Sequence, residues 1–225
     1  MNIMAMIIGA IAPGICLLWY FYLKDKDQPE PLRLILSMFI LGGLVVFPLM
    51  VVQNAINPVF QGIWVQSYLV SGFSEEFIKW FLVVVFIYKH NQFDEHFDGI
   101  VYTVAAAAGF ATVENVLYSF IEKGSLIQLL WSRAFLPVSA HVLFGVVMGY
   151  FLGLAKTTGS KTYIALSLFV PILLHGTFNQ LIYSSKLHGS LFIIGFMVFL
   201  WFYAVRKMNH ALRLKKRVPI ASFVE

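Results

Sequence analysis

Glu75, Glu76, Lys79, Glu114, Asn115, His141, His175 and Asn179 are strongly polar side chains set inside runs of residues otherwise suited to a lipid bilayer. Carboxylates can take a proton from water, imidazoles can shuttle protons or ligate a metal, and an amide beside an imidazole can stabilise an oxyanion. Together these are groups that could carry out acid–base or metal-assisted chemistry. Lys79 is i+4 from Glu75 and i+3 from Glu76, within reach of both on a helix. Adjacent helical residues point about 100° apart, so only one of the two glutamates can aim straight at a common centre while its neighbour neutralises the lysine. His175 and Asn179 are i and i+4, on one helical face. Pro137 and Pro171 each stand four residues before a histidine, where a missing backbone hydrogen bond can kink the helix.

Other readings of these residues are plainer. Glu75 with Lys79 could be a structural ion pair, although intramembrane carboxylates point first to function. Asn115 reads as an interhelical hydrogen-bonding group. The segment FDEHFDG, with Asp94, Glu95, His96 and Asp98, reads as a solvated loop whose Asp98 caps the following helix rather than as a metal site. Serine and cysteine offer no triad. The single cysteine, Cys16, lies in an apolar run and excludes an intrachain disulfide.

The elements that position these groups follow from composition. The chain has 225 residues, 60% hydrophobic and 12% charged, so it belongs in a membrane. A net charge of +5 does not indicate nucleic acid, because the basic residues sit in short connections and the C-terminal tail. The expected fold is all-α and polytopic, one domain over 1–225. Its seven spans are Ile3–Leu23, Leu34–Asn54, Tyr68–Tyr88, Gly99–Ile121, Ala134–Ala155, Thr162–Tyr183 and Gly189–Val205. The segment 122–133 is read as a connection, and Ile56–Ser67 as a loop or a short surface helix. The N-terminal run lacks a cleavage pattern and is kept as a span.

With the N-terminus outside and the C-terminus inside, the outer connections hold only Lys123, Arg133 and Lys186. The other charges of the spans' flanks, including Lys24, Lys89, Lys156 and the basic tail, then lie inside, as the positive-inside rule requires. In that frame Glu75 and His141 lie about 11 Å below the outer boundary on helices running inward. Glu114 and His175 lie about 20–22 Å above the inner boundary on helices running outward. Four spans therefore bring polar groups to one level, which predicts a single polar cavity in the outer part of the bilayer.

At SGFSEEFIKW, FDEHFDGIVYTVAAAAGFATVENVLY, FLPVSAHVLFGVVMGYFLG and VPILLHGTFN, in that order, the sequence resembles the PrsW family of bacterial intramembrane proteases. The paired glutamates, F-x-x-x-E at Phe110 to Glu114 and H-x-x-x-N at His175 to Asn179 are also remotely similar to the CAAX-prenyl-protease superfamily. The first resemblance implies a multi-pass protein of the bacterial cell membrane. It would make the first cut in a single-span, membrane-anchored anti-sigma factor during cell-envelope stress, with Glu75, Glu76 and His175 most closely tied to activity.

The expected mechanism has Glu75 or Glu76 as general base on water, His175 and Asn179 stabilising the oxyanion, and His141 and Glu114 orienting water or moving the proton. No cofactor is required in that scheme. The alternative is a catalytic zinc held by His141, His175 and Glu114 or Glu76, although H-E-x-x-H is absent. Outside proteolysis, the same buried charges would suit a proton- or cation-coupled transporter, or a non-catalytic membrane scaffold.

Overall fold

The computed structural model describes residues 3–26, 28–121, 125–184 and 189–215. Lys123, Lys186, Lys216 and Arg217, which count toward the expected orientation, lie outside them. The described residues form helices and connections with no strand. In order these are α1 (Ile3–Tyr22), α2 (Leu32–Leu44), α3 (Val46–Ile56) and α4 (Ile63–Val65). A π-helical stretch, π1 (Gln66–Phe73), leads into α5 (Ser74–Phe86) and then α6 (Asp98–Ile121). Next, α7 (Leu126–Arg133) runs through a second π stretch, π2 (Ala134–Val138), into α8 (Ser139–Thr158), followed by α9 (Lys161–Tyr183) and α10 (Gly189–Lys215).

Among the described residues, six helical segments are long and apolar enough to cross a membrane: Ile3–Tyr22, Leu32–Ile56, Asp98–Ile121, Ile127–Thr158, Lys161–Tyr183 and Leu191–Leu214. A seventh helical run passes without interruption from Ile63 to Phe86 and carries Glu75, Glu76 and Lys79. The protein is a polytopic all-α membrane protein, and seven helical runs correspond to the seven expected spans. The segment 122–133 differs from expectation: residues Leu126–Arg133 are helical and continuous with the fifth span. Arg133 is therefore buried rather than a charge in a connection.

Helices α6 and α8 form the centre, and the others pack around them. Glycines let the central backbones touch. A Cβ at Gly149 of α8 would stand 2.2 Å from the carbonyl oxygen of Gly99 on α6, and one at Gly109 would stand 1.8 Å from that of Phe39 on α2. Small residues at such crossings maximise dispersion contact where lipid supplies no hydrophobic drive between helices. The outward faces of α1, α2 and α10 carry exposed Ile8, Leu36, Ile40, Phe192, Val198 and Phe202, as a lipid-facing shell does.

The segment FDEHFDG is only partly solvated: Asp94 is exposed, whereas Phe93, Glu95 and Phe97 are buried. Asp98 is fully buried, and its Oδ2 accepts the backbone N–H groups of Asp94 at 2.8 Å and Glu95 at 2.5 Å. It thus ties down the preceding loop. The Tyr102 hydroxyl donates to Glu30 in the α1–α2 connection. Burial pushes the Glu30 carboxyl up to about 7 despite that bond.

Candidate active site

The π stretches place the site. Each lies immediately before a helix that carries a site residue, π1 before Glu75 and π2 before His141. Wide π turns disrupt the regular helical ladder and recur at functional sites. The π1 run is pinned to α9 by Tyr68 to Thr177 at 3.0 Å and Ser67 to Gln180 at 3.3 Å. About three turns further along the chain, Trp80 of α5 donates to Ser167 of α9 at 2.9 Å.

Four helices deliver Glu75, Glu76, Glu114, His141 and His175 into one network, as their common level predicted. The two glutamates separate as adjacent helical residues must. Glu76 is fully buried; its Oε1 accepts from Lys79 at 2.5 Å and lies 2.8 Å from Nδ1 of His175. Glu75 lines an open groove of about 340 Å³, together with Glu114, Gln53, Tyr118 and Tyr183. Its Oε2 lies 3.9 Å from Nε2 of His141 and 3.8 Å from Nε2 of His175.

Lys79 also approaches Nδ1 of His141 at 3.1 Å and stands 4.9 Å from the centre of the Phe110 ring. An ammonium can only donate, so Nδ1 of His141 accepts and its Nε2–H donates to Glu114 Oε2 at 2.9 Å. The rings of His141 and His175 meet edge to face at 5.0 Å, and Phe144 stacks on His175 at 5.1 Å. Both imidazoles are thus held by packing as well as by polar contacts.

Two contributors were not singled out by sequence. Gln53 of α3 donates from Nε2 to Glu75 Oε1 at 3.2 Å and to Ser74 at 3.0 Å. Arg133 reaches Glu114 at 3.5 Å, and its Nε donates to Asn115 Oδ1 at 2.8 Å. Asn115 in turn donates to the Ala10 carbonyl at 2.8 Å, so it joins α1, α6 and α7 as an interhelical group. A glutamine interrupting an apolar run was the available signal for Gln53; nothing local marked Arg133. Asn179 lies one turn beyond His175. Among the described residues it has no hydrogen bond to Glu75, Glu76, Glu114, His141 or His175.

The donor set suits a metal ion. Glu75, His141 and His175 each offer a ligand atom, all within 4.8 Å of one another. The carboxylate in this set is Glu75, whereas Glu114 adjoins it through His141. Glu76 accepts from His175 Nδ1, which leaves the His175 Nε2 lone pair directed at Glu75. A carboxylate behind a ligating imidazole is the usual outer support of a zinc site.

The family profile described as "PrsW family intramembrane metalloprotease" matches residues 30–205. The chain belongs to the PrsW family. Protease PrsW of Bacillus subtilis (strain 168) is 44% identical over 212 residues, covering 92% of this chain and 95% of the relative. Protease PrsW of Geobacillus kaustophilus is 41% identical over 212 residues, 92% of each chain. That of Clostridioides difficile is 31% identical over 220 residues, 93% of this chain and 92% of the relative. No solved structure matches. With its membrane-crossing helices, membership in the PrsW family makes this a multi-pass bacterial membrane protein, and the buried carboxylate–histidine network lies inside the segment that carries the family match.

Proposed function

We propose that this chain is a metal-dependent intramembrane endopeptidase that cuts a single-span membrane substrate, of the anti-sigma-factor type, as the first step of an envelope-stress response. The observation that carries the reading is the convergence of two imidazole Nε2 atoms on one oxygen of Glu75, at 3.9 and 3.8 Å, at the wall of a groove. The family's description as metalloproteases and the mutual reach of the three ligand atoms support it.

Glu75, His141 and His175 would hold the ion, which would take the place of the Nε2 proton that His141 gives to Glu114 in the metal-free site. When bound, zinc lowers the pKa of a water and polarises a carbonyl. The remaining work belongs to side chains. Glu76 fixes the His175 tautomer, and Lys79 balances the Glu76 charge where no water can. Gln53 holds Oε1 of Glu75 and so turns Oε2 toward the histidines. Glu114, kept at the groove wall by Arg133, accepts the proton of the attacking water and returns it to the leaving amine. The bundle keeps bulk water away from all but the groove side, which strengthens each polar contact.

With the N-terminus outside, the site would lie toward the extracytoplasmic face, where a first cut would release a substrate's outer domain. The deciding experiment is cleavage of a single-span anti-sigma-type substrate by purified protein in liposomes. Cleavage on the outer half of the span, lost in chelator and restored by zinc, is expected. Cleavage indifferent to chelator would replace the metal-dependent scheme with a glutamate-only one; no cleavage of any single-span substrate would overturn the protease reading.

A further inference from the structure

A second group of acidic side chains lies at the start of α6, sixteen residues and so about 24 Å along the helix from Glu114. One oxygen from each of Asp25, Glu30 and Asp98 comes within 4.8 Å of the others. Asp25 and Glu30 lie on the connection between α1 and α2, and Asp98 begins α6. Their exposures are 2%, 6% and 0%, so water cannot solvate the charges. We propose that these three carboxylates bind one hard divalent cation, of the magnesium or calcium class, which clamps the α1–α2 connection onto the start of α6.

Asp98 points to the ligand independently of the clustering. Its Oδ2 is satisfied by two backbone N–H groups, while its Oδ1 is buried with no hydrogen-bond partner. Glu30 and Asp98 also stand within hydrogen-bonding reach of each other. Two ionised carboxylates are both acceptors, so something positive belongs between them. Among the described residues no lysine, arginine or histidine forms an ion pair with Glu30 or Asp98. Lys156, the cation whose charge Asp94 and Asp98 feel, gives its Nζ to the Tyr88 carbonyl at 2.8 Å.

A shared proton would cancel one charge of the three, with Asp94 and Glu95 adding to the negative field. A divalent ion cancels two. The donors are carboxylate oxygens throughout, which selects hard cations over zinc. Oxygens about 2.3–2.6 Å from one calcium ion lie at most about 5 Å apart, and the cluster meets that limit. The fold gives the clamp a purpose: α6 touches α1, α2 and α8 and carries Glu114.

The test is calorimetric titration of the chelator-stripped full chain in nanodiscs with calcium chloride and with magnesium chloride. It is repeated with Glu75→Gln to remove the other candidate site's carboxylate. One saturable site is expected, unchanged by Glu75→Gln and weakened at least about tenfold by Glu30→Gln or Asp25→Asn, with loss of the cation-induced rise in thermal midpoint. Absence of saturable binding by either ion overturns the proposal without recourse to any variant and leaves a shared proton as the cluster's occupant. Binding unaffected by both substitutions in folded protein, checked by circular dichroism, also overturns it.

Discussion

Nδ1 of His175 and Nζ of Lys79 share one oxygen of Glu76, at 2.8 and 2.5 Å. The buried glutamate therefore has two duties, setting a histidine tautomer and balancing a lysine, and the two can be separated. Glu76→Gln keeps the shape but leaves Lys79 uncompensated, at a cost of about 3–5 kcal/mol. Adding Lys79→Met should recover most of that stability without recovering cleavage. Chemical denaturation and proteolysis of the same samples check both halves.

Glu75→Gln removes the groove-facing carboxylate. Cleavage should fall by at least about 100-fold and tight zinc binding should be lost, while a substrate helix is still retained by the protein in a pull-down. Retained zinc with lost cleavage would instead make Glu75 the proton acceptor rather than a ligand.

Gln53 and Arg133 act through the two groove carboxylates. Gln53→Ala should lower kcat about tenfold with little change in KM, because it frees Glu75 without touching the rest of the network. Arg133→Met should lower kcat similarly, since Glu114 loses the guanidinium that holds it at the groove wall.

Gly149→Ala tests the central crossing. Its new methyl meets a backbone carbonyl that no rotamer change can move, so destabilisation of about 1–3 kcal/mol is expected, read as a lower thermal midpoint.

Glu30 sets a pH dependence in cation-free protein. Its folded value of about 7 lies above the ordinary 4.5, so the folded state holds a proton that the unfolded chain has released between those values. This contribution to stability is full below pH 4.5 and declines as the pH rises toward 7. His96, depressed by burial, works in the opposite direction and is common to both proteins, so the comparison with Glu30→Gln reads Glu30 together with the carboxylates it faces. The variant should show a smaller loss of thermal midpoint between pH 5 and 7.5.

The common level of Glu75, Glu114, His141 and His175 was legible in the sequence because a charge inside an apolar run is costly and marks its own depth. Which glutamate faces the groove was not, since that depends on helical phase and the phase passes through π1. Arg133 was illegible for a different reason. A basic residue beside an apolar run looks the same whether it ends a connection or continues a helix into the site. Asp98 was placed correctly at a helix start but given the wrong surroundings, because the groups that meet it, Asp25 and Glu30 on the α1–α2 connection, are far away in sequence.

The two π stretches act as phase adjusters. Each residue added to or removed from an α-helix turns the rest of that helix by about 100°. The surplus carried in residues 66–73 lets the N-terminal end of that helix keep Tyr68 against α9 while the C-terminal end keeps Glu75 on the groove and Glu76 behind it. Loss of one residue there would leave every side chain of the site present and the helix unbroken. It would also turn the glutamates relative to the histidines, so that the chemistry depends on a residue count as much as on residue identity.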